Sequence, residues 1–310
     1  MRSIARLRPG RVAPVAMLAL VLALVLAGCS DADPVASDPA DEPSSSESED
    51  PATEPSEDPD PSEDESSEEP GTTTAAYFIG DTERAGPRLF REFQRASGEP
   101  LDAAVEVLTA GPLDPDYRTA WEGGQLASAT YDGDVISVVV DPSARTRPGA
   151  MSRAEARAAV EQVIYSVQAA VQERAPVQFR TTDNPIDMVF GVPTSEPLAN
   201  GPMLDVLSHV SLTTPEQGAV VAGDTLSVTG VGNSFEANVG WAIRQGDAVV
   251  NDGYATMAGW MEPKLFPFEV EVDVSKLQPG DYTFWVTTDD PTGGTEGIGA
   301  MTDDKEFTIE

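Results

Sequence analysis

The stretch Phe268-Glu269-Val270-Glu271-Val272-Asp273-Val274 decides the fold of the second half of this chain. Apolar and acidic residues alternate with a period of two, so an extended strand here is apolar on one side and charged on the other. Short pieces of the same kind recur through residues 206–310: Val210-Leu212, Leu226-Val228, Ala237-Val239-Trp241-Ile243, Val249-Val250, Tyr282-Phe284-Val286 and Phe307-Ile309. About seven such strands, separated by Gly, Pro, Asn and Asp turns and without a helical stretch, predict an all-β sandwich. Gln245-Gly246-Asp247 reads as a hairpin turn. Trp241 is in phase with the inward residues, whereas Trp285, between Phe284 and Val286, is out of phase and belongs on the outer face.

Residues 74–201 have a different texture. Ala75-Ala76-Tyr77-Phe78-Ile79 and Arg88-Leu89-Phe90-Arg91-Glu92-Phe93 read as strands. A helix is expected over Asp102–Ala110, with Pro100 before it and Gly111-Pro112 after it. Asp134–Asp141 reads as a buried strand. The clearest helix spans Met151–Glu173, where Ser152 and Glu155 form a capping box and Ala156, Ala159, Val160, Val163, Ile164 and Val167 form one apolar face. Val177–Arg180 and Met188–Phe190 add strands. The pattern predicts an α+β domain with helices on one face of a sheet.

The start of the chain carries targeting signals rather than a fold. Arg2, Arg6, Arg8 and Arg11 precede the apolar run Val15–Leu26, which closes on Leu26-Ala27-Gly28-Cys29. A basic segment, an apolar core and small residues before a cut form a secretory signal. The run is short for the roughly 20 apolar residues of a spanning helix. Cys29 is the only cysteine, so no intramolecular disulfide is possible. Residues 30–70 contain seventeen acids and no base. Such a composition cannot bury enough apolar surface to fold, and residues 29–73 are expected to be a disordered acidic tether. Fully stretched, residues 30–70 would reach on the order of 130 Å at about 3.3 Å per residue.

Charge and chemistry narrow the function. The whole chain carries −34, and the 36 acids and 15 bases of residues 71–310 leave −21. A basic footprint for nucleic acid is absent. His209 is the only histidine, which leaves no zinc motif of the HExxH type and no nucleophile elbow to serve. Beside strand residue Val210 it reads as a packing or hydrogen-bonding residue. Paired carboxylates for glycoside hydrolysis carry no weight among so many acids. Asp289-Asp290 with Asp303-Asp304 lack the spacing of an EF-hand. No cofactor, metal or catalytic residue is expected.

Two groups of residues suggest a binding surface. Arg84, Arg88, Arg91 and Arg95 concentrate positive charge on an acidic protein, although surface arginines commonly pair with nearby acids. Trp260, in the loop Gly259-Trp260-Met261, and the outward Trp285 are candidate anchors for a sugar ring or a protein partner. The plainer reading is a small apolar patch covered by a loop or by the other domain.

Three resemblances join these readings. Leu26-Ala27-Gly28-Cys29 resembles the lipobox of bacterial lipoproteins. This implies cleavage after residue 28, a diacylglyceryl group on Cys29 and an extracytoplasmic protein anchored to the bacterial cell membrane. Residues 74–201 resemble the GerMN domain of sporulation and germination lipoproteins. The likeness rests on Tyr77-Phe78, Arg91, Leu108-Thr109-Ala110-Gly111-Pro112, Gly133-Asp134-Val135, Gln162–Val167 and Phe190-Gly191, with Gly123-Gly124 departing from the usual proline-centred turn. Residues 206–310 resemble the immunoglobulin-like domain of bacterial spore germination, through Pro215, Gly218, Gly230, Phe235-Glu236-Ala237, Gly253, Pro267-Phe268, Pro279-Gly280-Asp281-Tyr282, Asp290-Pro291, Gly294 and Glu296. Together they imply a non-catalytic envelope lipoprotein that binds protein partners or cell-wall polymer. The alternatives are a small-molecule or lipid binder at the domain junction and a wall-glycan hydrolase.

Overall fold

The computed structural model describes residues 71–310 except Glu122. The signal segment, Cys29 and the acidic stretch 30–70 lie outside the described residues. The architecture is mostly β, and two hydrophobic clusters organise it.

The first cluster is built from Ala76 to Leu207. β1 (Thr72–Thr82) and β2 (Gly86–Ala96) form a long antiparallel hairpin, with Phe78 opposite Phe90. α1 (Pro100–Ala110) has Pro at its first turn and Gly111 at its C-terminal cap with φ 95°, the expected asymmetry. β3 (Tyr117–Arg118) adds to β1. β4 (Leu126–Tyr131), β5 (Ile136–Val140) and a later strand, β6 (Val177–Arg180), form a second three-stranded sheet in which β5 and β6 run parallel. α2 (Arg153–Val171) lies between them in sequence, capped by the Ser152 hydroxyl, which accepts from Glu155 N at 3.0 Å. Its apolar face buries Ala156, Ala159, Val160, Val163, Ile164 and Val167. β7 (Met188–Val189) and β8 (Val192–Pro193) form a small hairpin, and α3 (Met203–Val206) is a single turn.

The chain thus builds two separate three-stranded sheets here rather than the one sheet expected. β4 is the longest strand of this half that the sequence concealed, beside the two-residue β3 and β8. Its segment, Leu-Ala-Ser-Ala-Thr-Tyr, buries only Leu126 and Ala129, and its pairing slips between Leu126 and Ser128. A weakly apolar strand with a bulge has no clean period of two.

The second cluster runs from Val210 to Ile309. β9 (Val210–Thr214), β10 (Ala219–Val221), β11 (Thr225–Gly232), β12 (Asn238–Gln245), β13 (Ala248–Thr256), β14 (Phe266–Asp273), β15 (Gly280–Thr288) and β16 (Thr302–Ile309) form two sheets. One has the order β10-β16-β15-β12-β13 and the other β14-β11-β9. β14 is the alternating stretch of sequence, with Phe266, Phe268 and Val272 buried and Glu269 and Glu271 outside. β12 and β13 are joined by Gly246-Asp247, with Gly246 at φ 58° as a two-residue hairpin requires. The expectation of no helix is corrected at one point: Phe235–Ala237 forms a 3-10 turn, with Glu236 and Ala237 in the left-handed region at φ 55° and 59°.

The two clusters meet along β2 and β9. Ser208 N donates to Leu89 O at 2.9 Å, and Arg91 N donates to the Ser211 hydroxyl at 3.1 Å. Below this seam lies a buried polar network. The Lys305 ammonium donates to the Asp114 carboxylate and, at 3.0 Å, to the Tyr117 hydroxyl, which itself donates to Asp303. The second oxygen of Asp303 accepts from Leu212 N at 2.6 Å. Burial pushes the Tyr117 phenol well above its ordinary range, and the Asp303 carboxylate adds to this.

Candidate functional site

One end of the sandwich is formed by three loops that share a groove of about 310 Å³. They follow β11, β13 and β15, and each is held by a different device. In the first, Asn233 N donates to His209 O at 2.8 Å, while the Asn233 side-chain amide donates to the carbonyls of Glu262 and Lys264 at 2.9 and 2.7 Å. Asn233 therefore ties the first loop to the second. In the second, Gly259 is required by close approach, because a Cβ there would lie 2.6 Å from the Phe266 ring. In the third, the Asp290 carboxylate accepts from Thr292 N, the Thr292 hydroxyl and Gly294 N at 2.9, 2.6 and 2.8 Å. The Thr292 hydroxyl and amide accordingly hold the Asp290 acid below its ordinary range.

The walls of the groove combine aromatic and acidic groups. Phe235 and Trp260 meet edge to face, their centroids 5.3 Å apart and their planes at 78°. Phe235 is 43% exposed. Trp260 is half-buried and rests one side on the sandwich core. Asp289 and Glu296 line the same groove and are exposed. His209 closes one end, with Nε2 2.9 Å from Leu204 O, and burial lowers its pKa. The strained backbone of Glu236 and Ala237 lies directly after Phe235, and Met257 N donating to Ala237 O at 2.7 Å holds it. Strain of this kind costs about 1–3 kcal/mol per residue and is retained where surrounding structure enforces it.

Residues 209–295 match the immunoglobulin-like domain of bacterial spore germination. The match covers the strands from β9 to β15 and most of the three loops, so the groove belongs to an immunoglobulin-like domain, whose loops cluster at the ends of its sheets. No curated protein matches the chain. Among solved structures, an engineered protein aligns at 14% identity and a TM-score of 0.28, over 49% of this chain and 36% of that one. An endo-beta-1,4-mannanase double mutant from Cellulomonas fimi aligns at 16% identity and a TM-score of 0.24, over 55% of this chain and 38% of that one. The alignments span less than two fifths of either solved chain.

The structure separates the residues singled out in sequence. Trp260 lines the groove of the immunoglobulin-like domain and Trp285 does not. Trp285 is half-buried on the outer face of the five-stranded sheet, with the Arg244 guanidinium stacked 4.2 Å from its ring centre. Arg84, Arg88 and Arg91 do not form one patch. Arg84 donates to Gly294 O at 2.6 Å, bracing the third loop. Arg88 is half-buried, and burial lowers its pKa against the support of Asp205. Arg91 donates to the Thr213 hydroxyl at 3.1 Å and stacks 4.9 Å over Phe93. The feature missed in sequence is Phe235. Its triplet with Glu236-Ala237 was visible only as part of a family likeness, because exposure of a phenylalanine has no signature in composition.

Proposed function

We propose that this protein is a non-catalytic, lipid-anchored component of the bacterial cell envelope. In this reading a GerMN-like first half and the immunoglobulin-like domain bind a protein partner or cell-wall polymer, and the loop-end groove is the principal contact. The edge-to-face pair of the exposed Phe235 and the half-buried Trp260 carries the proposal. An aromatic pair at near right angles, in a groove that also holds the carboxylates of Asp289 and Glu296, offers apolar ring surface and hydrogen-bond acceptors together. That combination suits a sugar ring or a polar peptide segment.

Two acids buried in the polar network support a non-catalytic reading. Asp114 and Asp303 are buried and engaged by Lys305, Tyr117 and Leu212 N, so they cannot flank a substrate in water. The alternative of a small-molecule site at the junction has a cavity of about 150 Å³ beside Tyr77, Arg91 and Leu265 and an open groove of about 700 Å³ lined by Arg91, Thr213 and Phe268; the loop-end groove is preferred for its aromatic pair and not for its size.

The test is binding of the full chain to a purified wall fraction and to solubilised envelope proteins. Trp260→Ala and Phe235→Ala should each weaken binding by about 2 kcal/mol, the scale of an interface hot spot. Undiminished binding by the double variant would exclude the groove.

A further inference from the structure

A second cleft lies on the first half of the chain, between the start of α2 and the hairpin of β7 and β8. Arg147, Arg153 and Arg157 line it together with Gly191, Val192 and Pro193, and its volume is about 360 Å³. No acidic residue lines it. Among the described residues none of the three arginines enters a salt bridge. Arg147 donates to Met151 O, whereas the side chains of Arg153 and Arg157 make no hydrogen bond within the protein among the described residues.

This arrangement runs against local electrostatics. Arg153 is the first residue of α2, at the end of the helix where the peptide dipoles disfavour a cation. Arg153 and Arg157 are four residues apart on the same helix, a like-charged spacing that costs a few tenths of a kcal/mol. Glu155, the acid of that first turn, is turned away to Arg118 at 3.1 Å. Neutralisation was readily available, since acids outnumber bases 36 to 15 in residues 71–310. The opposite wall is also held under strain: Phe190 adopts φ 48°, fixed by its N–H donating to Ala144 O at 2.6 Å. Local choices that conflict with stability are the mark of a functional site.

We propose that this cleft binds a phosphate group carried on a ligand. Guanidinium forks match phosphate oxygens in bidentate pairs. Three exposed arginines lining one cleft, two from α2 and one from the segment before it, can reach a tetrahedral anion from several directions, which suits phosphate better than the single plane of a carboxylate. The charge of −21 on residues 71–310 repels an extended polyanion, so the ligand presents one terminal phosphate or one phosphodiester at a time. The site is separate from the loop-end groove and stands or falls without it.

The experiment is calorimetric titration of the full chain at low ionic strength with inorganic phosphate, glycerol phosphate and acetate. Phosphate and glycerol phosphate should bind and acetate should not. Arg153→Gln with Arg157→Gln should weaken phosphate binding by at least about tenfold, the loss expected from removing charge-assisted hydrogen bonds. Arg95→Gln, at an exposed arginine elsewhere, should change nothing. The double variant should melt no lower than the parent. Vesicles containing phosphatidylglycerol supply a second arm: capture that the double variant loses assigns the phosphate to a lipid headgroup, and binding of soluble glycerol phosphate alone assigns it to a free or wall-borne source. Equal affinity in parent and double variant, equal binding of acetate, or a melting temperature several degrees lower in the double variant would each overturn the proposal.

Discussion

Lys305 and Asp114 form an ion pair between residues 191 positions apart, with side chains only 3% and 2% exposed. The pair closes the junction between the two hydrophobic clusters. Lys305 projects from β16 on the same side as Phe307 and Ile309, so a strand that builds the sandwich core also delivers a cation to the other half of the chain. Asp303, one position earlier on that side, receives Tyr117.

Removing one member of this network should cost far more than removing a surface ion pair. Lys305→Ala leaves Asp114 and Asp303 buried without their cation, and about 3–5 kcal/mol of stability should be lost. Lys305→Met combined with Asp114→Leu should cost much less than the two single changes added together. Urea denaturation of the four proteins in a double-mutant cycle measures that coupling.

Asp304, beside this network, gives a pH dependence of defined sign. Burial, then Asp116 and its other acidic neighbours, raise its carboxyl to about 6 from 3.8. The folded state therefore holds a proton that the unfolded state releases. This contribution stabilises below about pH 4 and is lost as pH rises towards and past 6. Asp304→Asn should melt higher than the parent at pH 7.5, and the difference should vanish at pH 4. Thermal melts at the two pH values decide it; a gain confined to acid pH would contradict the assignment.

The tryptophans of adjacent strands should behave oppositely. Trp241 stacks on Phe284 at 5.6 Å and rests against Gly253, where a Cβ would lie 2.5 Å from its ring. Trp241→Ala should cost about 3 kcal/mol, at the lower end for a core aromatic because the ring is half-buried. Trp285→Ala loses only the Arg244 stack and outer-face contact, so it should cost less than about 1 kcal/mol. Equilibrium denaturation followed by far-UV circular dichroism separates the two.

Gly230 marks a place where two strands and a ring converge. A Cβ there would press on the Phe268 ring and lie 2.8 Å from Ser211 O. Gly230→Ala should destabilise by about 1–3 kcal/mol through overpacking, and a variant as stable as the parent would show that β9 can move aside.

The proposed anchor is tested at its single thiol. Cys29→Ala should abolish incorporation of labelled fatty acid and leave either an uncleaved precursor or released protein. A mature-size variant that still fractionates with membranes would count against lipidation.

What the sequence determined by itself follows from local periodicity. The alternation in β14, the three-and-four spacing and the Ser152 cap of α2, and the Gly246-Asp247 turn each encode their element over a few residues, because strand faces, helix faces and turn dihedrals are set by near neighbours. The phase of Trp285 followed from the same rule. The tertiary structure alone decided what distant residues do together. Arg84, Arg88 and Arg91 are close in sequence, yet strand geometry and the junction send them to three different surroundings: Gly294 O for Arg84, a half-buried position near Asp205 for Arg88 and the Thr213 hydroxyl for Arg91. Arg147, Arg153 and Arg157 look like ordinary surface charges until the β7–β8 hairpin faces them across a cleft. Phe235 becomes an exposed groove wall only when a left-handed turn holds it beside Trp260. Asp303 and Lys305 sit in a strand as charged residues at core-facing positions, which a period-two reading counts as mismatches. Their burial is tolerable only because Asp114 and Tyr117, nearly two hundred residues away, supply the opposite charge and the hydrogen bonds that a buried ion needs.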